Sequence, residues 1–288
     1  MSVTDDLPAA LYLVATPIGN LEDITLRALR VLRDCDLIAC EDTRHTQKLL
    51  THFDIHTGTV SYHEYIEAER AHEIVERIHA GQRVALVSDA GTPAVSDPGY
   101  RVVRACVEAG LTVVPVPGAS AATAALIASG LPTDAYYFGG FLPARSGERR
   151  TVLERNATRM ETMVFYEAPH RLLESLQDVH GIFGSRPLCV ARELTKVHEE
   201  LLRGSASEIF TLLEQRGTVR GEITLVIAAA SQASAPIPPQ PTSIAELMRT
   251  RVAAGEDEKS ALKAVAKALG LGRSEAYREW QRIKRTLT

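Results

Sequence analysis

The chain has 288 residues, 45% of them hydrophobic and 24% charged, with a formal net charge of −4. That length exceeds one ordinary core and predicts two domains plus an extra piece, and the mild acidity excludes a uniformly basic nucleic-acid binder. The polar start Met1–Ser2–Val3–Thr4–Asp5–Asp6 predicts no secretory leader, and the longest apolar run, Ala119 to Leu131, is too short and Ala-rich to span a membrane, so a cytoplasmic protein is expected.

Leu11–Ala15 is a short apolar run stopped by Thr16–Pro17–Ile18–Gly19–Asn20, which predicts a buried strand and a tight loop. Ile24, Leu26, Leu29 and Leu32 recur at helical spacing. Leu37–Cys40 predicts a second strand, ending in the polar cluster Glu41–Asp42–Thr43–Arg44–His45. A helix from Thr46 to Phe53, a strand at Thr59–Ser61 and a helix from Glu67 to His79 follow. Arg83–Ser88 is the next strand, and it runs into eleven residues, Asp89 to Gly99, rich in Asp, Ser, Gly and Pro. A helix from about Tyr100 to Ala109, a strand from Leu111 to Val116 and an Ala-rich helix ending at Gly130 complete this half. Such regular alternation with near-continuous apolar strands predicts a mainly parallel sheet covered on both faces, in a first domain spanning 1–120.

From Tyr136 the pattern changes. Strands are predicted at Tyr136–Phe141, Met163–Tyr166, Leu188–Ala191 and Ile223–Ala228, with Glu199–Arg203 pairing as a hairpin with the strand before it. Helices are predicted at Glu148–Asn156, His170–Val179 and Ala206–Gln215, giving a second α/β domain, 121–230, with a more mixed sheet. Residues 231–242 are Pro-rich and predict an extended linker. Three short helices, Ser243–Val252, Lys259–Leu269 and Arg273 to about Lys284, make a helix-turn-helix-like domain at 243–288, with ten Lys or Arg against six Asp or Glu.

The motifs exclude as well as suggest. No GxGxxG follows the first strand and no GxxxxGK[ST] occurs, so the usual pyrophosphate loops are missing. Loops at the carboxyl ends of strands are where open α/β sheets bind ligands. In the loop Asp89–Gly99, Gly91 and Gly99 permit positive φ while Pro93 and Pro98 stiffen the backbone, and Asp89 and Asp97 favour a cationic ligand; a plain capped turn is the competing reading. Pro117–Gly118–Ala119–Ser120–Ala121 opens a helix after a strand, which suits a carboxylate or is only a Ser cap. His45, His52, His56 and His63 raise a zinc site, but no third ligand stands at suitable spacing and no metal is expected. Cys35, Cys40, Cys106 and Cys189 lack CxxC spacing and read as reduced buried thiols. The clusters at Glu41–His45, Phe165–Arg171 and Ala191–Lys196 each end a strand, which suggests one shared cleft.

Leu13–Leu21, Glu41–Arg44, Ser88–Pro93, Ser96–Tyr100, Phe165–Glu167 and Ala191–Lys196, in that order, closely resemble the small-subunit ribosomal RNA methyltransferase I family of the tetrapyrrole methylase superfamily. The resemblance implies two α/β domains with S-adenosyl-L-methionine folded into the cleft between them, held largely by backbone contacts. It also implies a homodimer that 2′-O-methylates a cytidine in the decoding region of 16S rRNA. Mapped by motif, the donor contacts would be Pro17, Asp89, Gly91, Thr92, Ser120, Ala121, Tyr166, Ala191, Ile223 and Thr224. Tyr65 and Ile66 stand where the family has His and Asn, Ala119 where it often has Pro, and Ala229–Ala230 where it has an acidic residue and Gly.

A ribose hydroxyl is a weak acid, so a base or a cation facing the developing alkoxide would help. Glu41, Arg44, Glu193 and Lys196 are the candidates, with Arg44 and Arg171 suited to phosphate contacts. The basic C-terminal helices read as an RNA-docking accessory or a dimer-packing element. Two other readings stay open: a tetrapyrrole or diphthine methyltransferase on the same fold, and a non-catalytic RNA-binding assembly factor.

Overall fold

The computed structural model describes residues 7–63, 67–230, 248, 251, 256–268, 276–278 and 280–281. The chain forms two compact units, Met1–Ala230 and Ser231–Thr288.

The first half of the larger unit carries strands β1 (Leu11–Val14), β2 (Leu37–Cys40), β3 (Thr59–Ser61), β4 (Val84–Val87) and β5 (Val113–Val116). All pair in parallel, in the order β3-β2-β4-β1-β5. Helices α1 (Leu26–Asp34) and α2 (Thr43–His52) cover one face, where Val31, Leu32 and Leu50 pack on Tyr12, Val14 and Ile38. Helices α3 (Glu67–His79) and α4 (Tyr100–Glu108) cover the other, where Ile74, Ile78 and Val102 pack on Leu11, Ala39 and Leu86. Parallel strands buried on both faces explain the unbroken apolar runs. Adjacent β1 and β4 therefore send their connections to opposite faces, which opens a crevice at their carboxyl ends.

The second half carries β6 (Tyr136–Phe141), β7 (Thr162–Glu167), β8 (Pro187–Arg192), β9 (Glu200–Ser205) and β10 (Ile223–Ile227), in the order β6-β7-β10-β8-β9. Only β6 and β7 are parallel; β10 runs antiparallel to both β7 and β8, and β8 and β9 form the expected hairpin. Helix α5 (Ala121–Ser129) lies on one face, packing Ala122, Ala125 and Leu126 against Val164, Cys189 and Val226. Helices α6 (Ser146–Arg155), α7 (Leu172–Phe183) and α8 (Ala206–Arg216) bury Leu153, Leu176 and Ile209 against the other.

Boundaries move where capping intervenes. Helix α2 starts at Thr43, not Thr46, because the Asp42 side chain accepts from the Arg44 amide at 2.8 Å; Arg44 thus lies in the first helical turn. Helix α7 begins after a short turn at Pro169–Arg171 and runs four residues beyond Val179, to Phe183, where Gly184 at φ 62° ends it. In the smaller unit, helix α9 (Glu258–Ala268) falls on the second predicted C-terminal helix, and Trp280 Nε1 donates to Glu258 Oε1 at 2.6 Å. The Pro-rich linker, the turn Gly270–Leu271–Gly272 and most of the other two predicted helices lie outside the described residues. Among the described residues no helix is long and apolar enough to cross a membrane.

Candidate active site

The loops after β1 and β4 meet first. Thr16 and Gly91 exchange backbone hydrogen bonds at 2.9 and 3.1 Å, extending the sheet one step past its strands. Thr16 Oγ1 donates to the Ser88 carbonyl at 3.1 Å, and Thr92 Oγ1 to the Ala119 carbonyl at 3.2 Å. Asp89 Oδ1 accepts from the Asp42 amide at 3.2 Å and so ties the end of β4 to the end of β2. At Gly91, φ is 83°, and a Cβ would lie 3.4 Å from Ile18 Cγ2 and 3.8 Å from the Ala119 carbonyl oxygen. Ala94 and Ser96 also hold φ of 66° and 64°, an uncommon conformation for non-glycine residues that this packing sustains.

Across from these loops, β7, β8 and β10 bring Tyr166, Ala191 and Thr224 into one register row. Because β10 runs the other way, its first residues lie where β7 and β8 end, so Gly221 and Glu222 reach the same edge. Between the two sheets lies a cleft of about 370 Å³. It is lined by nine of the ten residues matched to donor binding, Asp89, Gly91, Thr92, Ser120, Ala121, Tyr166, Ala191, Ile223 and Thr224. The tenth, Pro17, lines an adjoining cavity of about 290 Å³ that shares Ile18, Asp89, Ala90 and Glu222 with the cleft.

Ser120 stands at the N-cap of α5, yet its side chain makes no capping bond. Its Oγ accepts from Thr123 Oγ1 at 3.5 Å, and it lines the cleft with Tyr166, whose hydroxyl burial pushes above its ordinary range. Phe138 and Phe141 meet the Tyr166 ring edge-on, with centroids 5.0 and 5.3 Å away. Burial, with the charges of Glu41 and Asp89, raises the Asp97 carboxyl to about 6. Burial and Asp89 raise Glu41 as well. The site is therefore short of positive charge on its amino-terminal side.

The turn after β8 supplies that charge. Glu193 and Thr195 take φ of 51° and 68°, which folds Lys196 back so that its Nζ lies 2.8 Å from Glu193 Oε1 and 3.2 Å from Glu222 Oε2. Glu193 Oε1 also accepts from the Glu222 amide at 2.9 Å. Burial alone would lower Lys196, but its bonds to Glu193 and Glu222 outweigh it and hold the ammonium above its ordinary range. The Lys196 hydrogen bond holds Glu193 below the usual carboxylate range. Two glycines allow this closure: a Cβ on Gly221 would collide with Glu193, and one on Gly19 with Lys196 Cγ. The Asn20 amide donates to Thr195 Oγ1 at 3.0 Å, joining the β1 loop to the β8 turn.

The remaining candidates lie elsewhere. Arg44 is 89% exposed, pairs with Asp42 at 2.9 Å and lines neither cavity. Glu41 and Glu193 line neither, whereas Lys196 lines the smaller one. Arg171 is unsuited to phosphate: its Nη2 bonds buried Glu167 at 2.6 Å and the Leu142 carbonyl at 3.2 Å, so its charge is used inside the protein. Among the described residues no group of three or more His, Cys, Asp or Glu could hold a metal ion, and all four cysteines are buried and free. Val95, Phe141, Ala168, Pro169, Gly221 and Glu222 also line the cleft and lie outside the six family motifs. The composition of the 89–99 loop marks Val95, but Gly221 and Glu222 carry no local signal because strand direction alone brings them there.

Comparison with known proteins agrees with this geometry. Residues 10–209 match the family described as Tetrapyrrole (Corrin/Porphyrin) Methylases. The chain is 44% identical over 274 residues to the Ribosomal RNA small subunit methyltransferase I of Halalkalibacterium halodurans, covering 94% of each chain. It is 46% identical to the protein of the same name from Synechocystis, over 93% of this chain and 95% of that one. Among solved structures, diphthine synthase superposes with a TM-score of 0.61 at 16% identity, covering 77% of this chain and 90% of that one. Uroporphyrin-III C-methyl transferase from Thermus thermophilus, complexed with S-adenyl homocysteine, gives 0.53 at 19% identity, covering 76% and 97%. These last two share the fold. Sequence identity across nearly the whole length, with the tetrapyrrole methylase domain in place, shows that the chain belongs to the ribosomal RNA small subunit methyltransferase I family.

Proposed function

We propose that this protein transfers the methyl group of S-adenosyl-L-methionine to the ribose 2′-hydroxyl of a cytidine in the decoding region of 16S rRNA, within the small ribosomal subunit. The observation that carries this reading is the 44–46% identity to ribosomal RNA small subunit methyltransferases I over at least 93% of the chain. The same family resemblance supports a homodimer in the cytoplasm as part of this reading.

The cleft suits the donor on chemical grounds. Its volume of about 370 Å³ falls within the range of small-molecule sites. Asp89 and Asp97 border it and favour a sulfonium cation, while Ile18, Phe141, Leu194 and Ile223 supply an apolar wall for a flat base. The space beside Gly91, which a larger residue would narrow, lets a ligand approach the main chain. When bound, the donor supplies an already activated methyl, whose bonding electrons remain on sulfur as the new O–C bond forms.

The protein's part is to align the two reactants, shield them from competing water and stabilise the oxygen as its proton passes to a carboxylate at the site edge and on to solvent. Lys196 fits the last role as a charged hydrogen-bond donor, since its pKa is held high and it carries no free lone pair at neutral pH. Glu193 positions Lys196. Glu41 adds negative charge beside Asp89, and Arg44 offers a phosphate contact from the first turn of α2.

The test uses labelled donor and small subunits from a strain lacking the gene, followed by nucleoside analysis. Label on the ribose of a cytidine is expected. No label on RNA, or label on a base, overturns the reading. Asp89→Ala should abolish donor binding in a calorimetric titration while keeping the wild-type circular dichroism spectrum; Gly91→Val, strained at a φ of 83°, should lose binding together with some stability.

A further inference from the structure

The smaller cavity, about 290 Å³, opens beside the donor cleft and meets it at Ile18, Asp89, Ala90 and Glu222, while Leu21, His45, Lys48 and Leu49 line it alone. Its apolar surface comes from Pro17 and Ile18 in the β1 loop, Leu21 beyond it and Leu49 on α2. Its rim mixes charges: Lys48 and His45 project from exposed positions on α2, Lys196 comes from the β8 turn already paired with Glu193 and Glu222, and Asp89 lies at the side shared with the donor cleft, so Lys48 is the cation left to meet an anion. Glu222, which holds Lys196 at 3.2 Å, borders both cavities. An apolar slot with Lys48 at its mouth and an inner boundary shared with the donor cleft suits a flat, weakly polar ring carried on a phosphate backbone.

We propose that this cavity seats the acceptor nucleoside of a single-stranded RNA segment, the base lying on Ile18, Leu21 and Leu49 while Lys48 meets a flanking phosphate. The proposal rests on the RNA-methylating reading above and adds the place and the groups that receive the acceptor. A nucleotide must leave its stack before an enzyme can enclose it, and a slot sized for one nucleoside is what such extrusion requires. Seated there, the ribose lies between base and phosphate at the boundary where Lys196 and Glu222 meet, which is where a hydroxyl must sit to face the donor cleft. A phosphate contact from Lys48 contributes affinity without base selection; the apolar slot contributes contact with the base.

Three variants test this. Leu21 is 37% exposed at the rim, so Leu21→Trp fills the slot without disturbing the core. Lys48→Glu reverses charge at the mouth. Arg104→Glu, on α4 and remote from both lining sets, controls for loss of surface charge. The measurements are binding of a cytidine-containing oligoribonucleotide by fluorescence anisotropy, calorimetric binding of S-adenosylhomocysteine, and methyl transfer to small subunits. Leu21→Trp should lower kcat/KM and oligoribonucleotide affinity at least tenfold. Lys48→Glu should raise KM about tenfold with kcat nearly unchanged and flatten the salt dependence of binding. All three variants should bind S-adenosylhomocysteine within twofold of the wild type. Wild-type RNA binding in both cavity variants overturns the proposal. So does an equal loss in Arg104→Glu, or a loss of S-adenosylhomocysteine binding in Leu21→Trp, which would make the cavity part of the donor site. If the wild type moves no methyl onto RNA, the reaction reading fails separately, and oligoribonucleotide binding still decides what the cavity holds.

Discussion

Lys196 and Glu222 meet at 3.2 Å on the boundary between two adjoining cavities, although one ends a turn after β8 and the other precedes β10. Antiparallel pairing of β8 and β10 makes this meeting possible, since Arg192 faces Ile223 in the register and the two flanking segments leave the sheet together. The ammonium is thus placed by strand direction and held by two carboxylates, an arrangement that fixes its position before any substrate arrives.

Replacing Lys196 by Met keeps most of the side-chain volume and removes the charge. Loss of one preorganised donor to a developing oxyanion costs about 10²–10³ in kcat. We expect a loss of that order, with donor affinity within a few-fold of the wild type. Single-turnover methyl transfer checks the first, and calorimetry the second. Because the wild-type ammonium titrates above its ordinary value, its rate should not decline between about pH 8 and 10 through loss of this charge.

Donor affinity should depend on pH through Asp97. Its carboxyl titrates near 6 in the folded protein, above the ordinary 3.8. As pH falls through 6 the carboxylate is neutralised and its attraction for a cation is lost, so affinity should be constant above about pH 7 and weaken by up to about tenfold per unit below 6. Asp97→Asn should bind the donor weakly at every pH and show no such dependence. Calorimetric titrations from pH 5 to 8 decide it.

The same carboxyl should reveal a conflict between stability and binding. With a raised folded-state pKa, its contribution to stability is fully present below pH 4 and is lost as pH rises through 6. Asp97→Asn should therefore melt higher than the wild type at pH 8 in the absence of donor, by a few degrees, about what 1 kcal/mol gives a chain of this size. The advantage should vanish near pH 4. Differential scanning calorimetry at both pH values measures it.

Gly19→Ala should act without changing any charge. The added Cβ would strike Lys196 Cγ and lie 2.8 Å from Thr195 Oγ1, forcing the β1 loop away from the β8 turn. Overpacking of this kind costs about 1–3 kcal/mol. A modest drop in melting temperature is expected, with a larger relative loss of kcat, because the bond from the Asn20 amide to Thr195 must break. Unchanged kcat in a folded variant would show that this contact does not set the site.

Removing residues 236–288 tests the basic C-terminal unit. Its ten Lys or Arg against six Asp or Glu contrast with the acidic remainder. If the unit supplies phosphate contacts, the truncated protein should bind small subunits more weakly, with a shallower salt dependence, while donor affinity is retained. Filter binding at several salt concentrations measures both slopes.

The amino-acid sequence by itself determined the strands, the loops that end them and the class of ligand. Leu11–Ala15, Leu37–Cys40 and Val84–Val87 announce themselves because a parallel strand buried on both faces must be apolar throughout. The loop from Asp89 to Gly99 is legible for a related reason: its glycines and prolines serve backbone conformations that few other residues accept. What only the tertiary structure decided was which polar groups face one another. Arg171 and Lys196 look alike in sequence, each in a polar cluster after a strand. One is drawn inward onto buried Glu167 and the other is turned toward Glu222 at the cavity boundary. Local patterns specify backbone shape, because shape depends on each residue and its neighbours. The partner of a charge depends on strand order and direction, which bring together groups far apart in the chain.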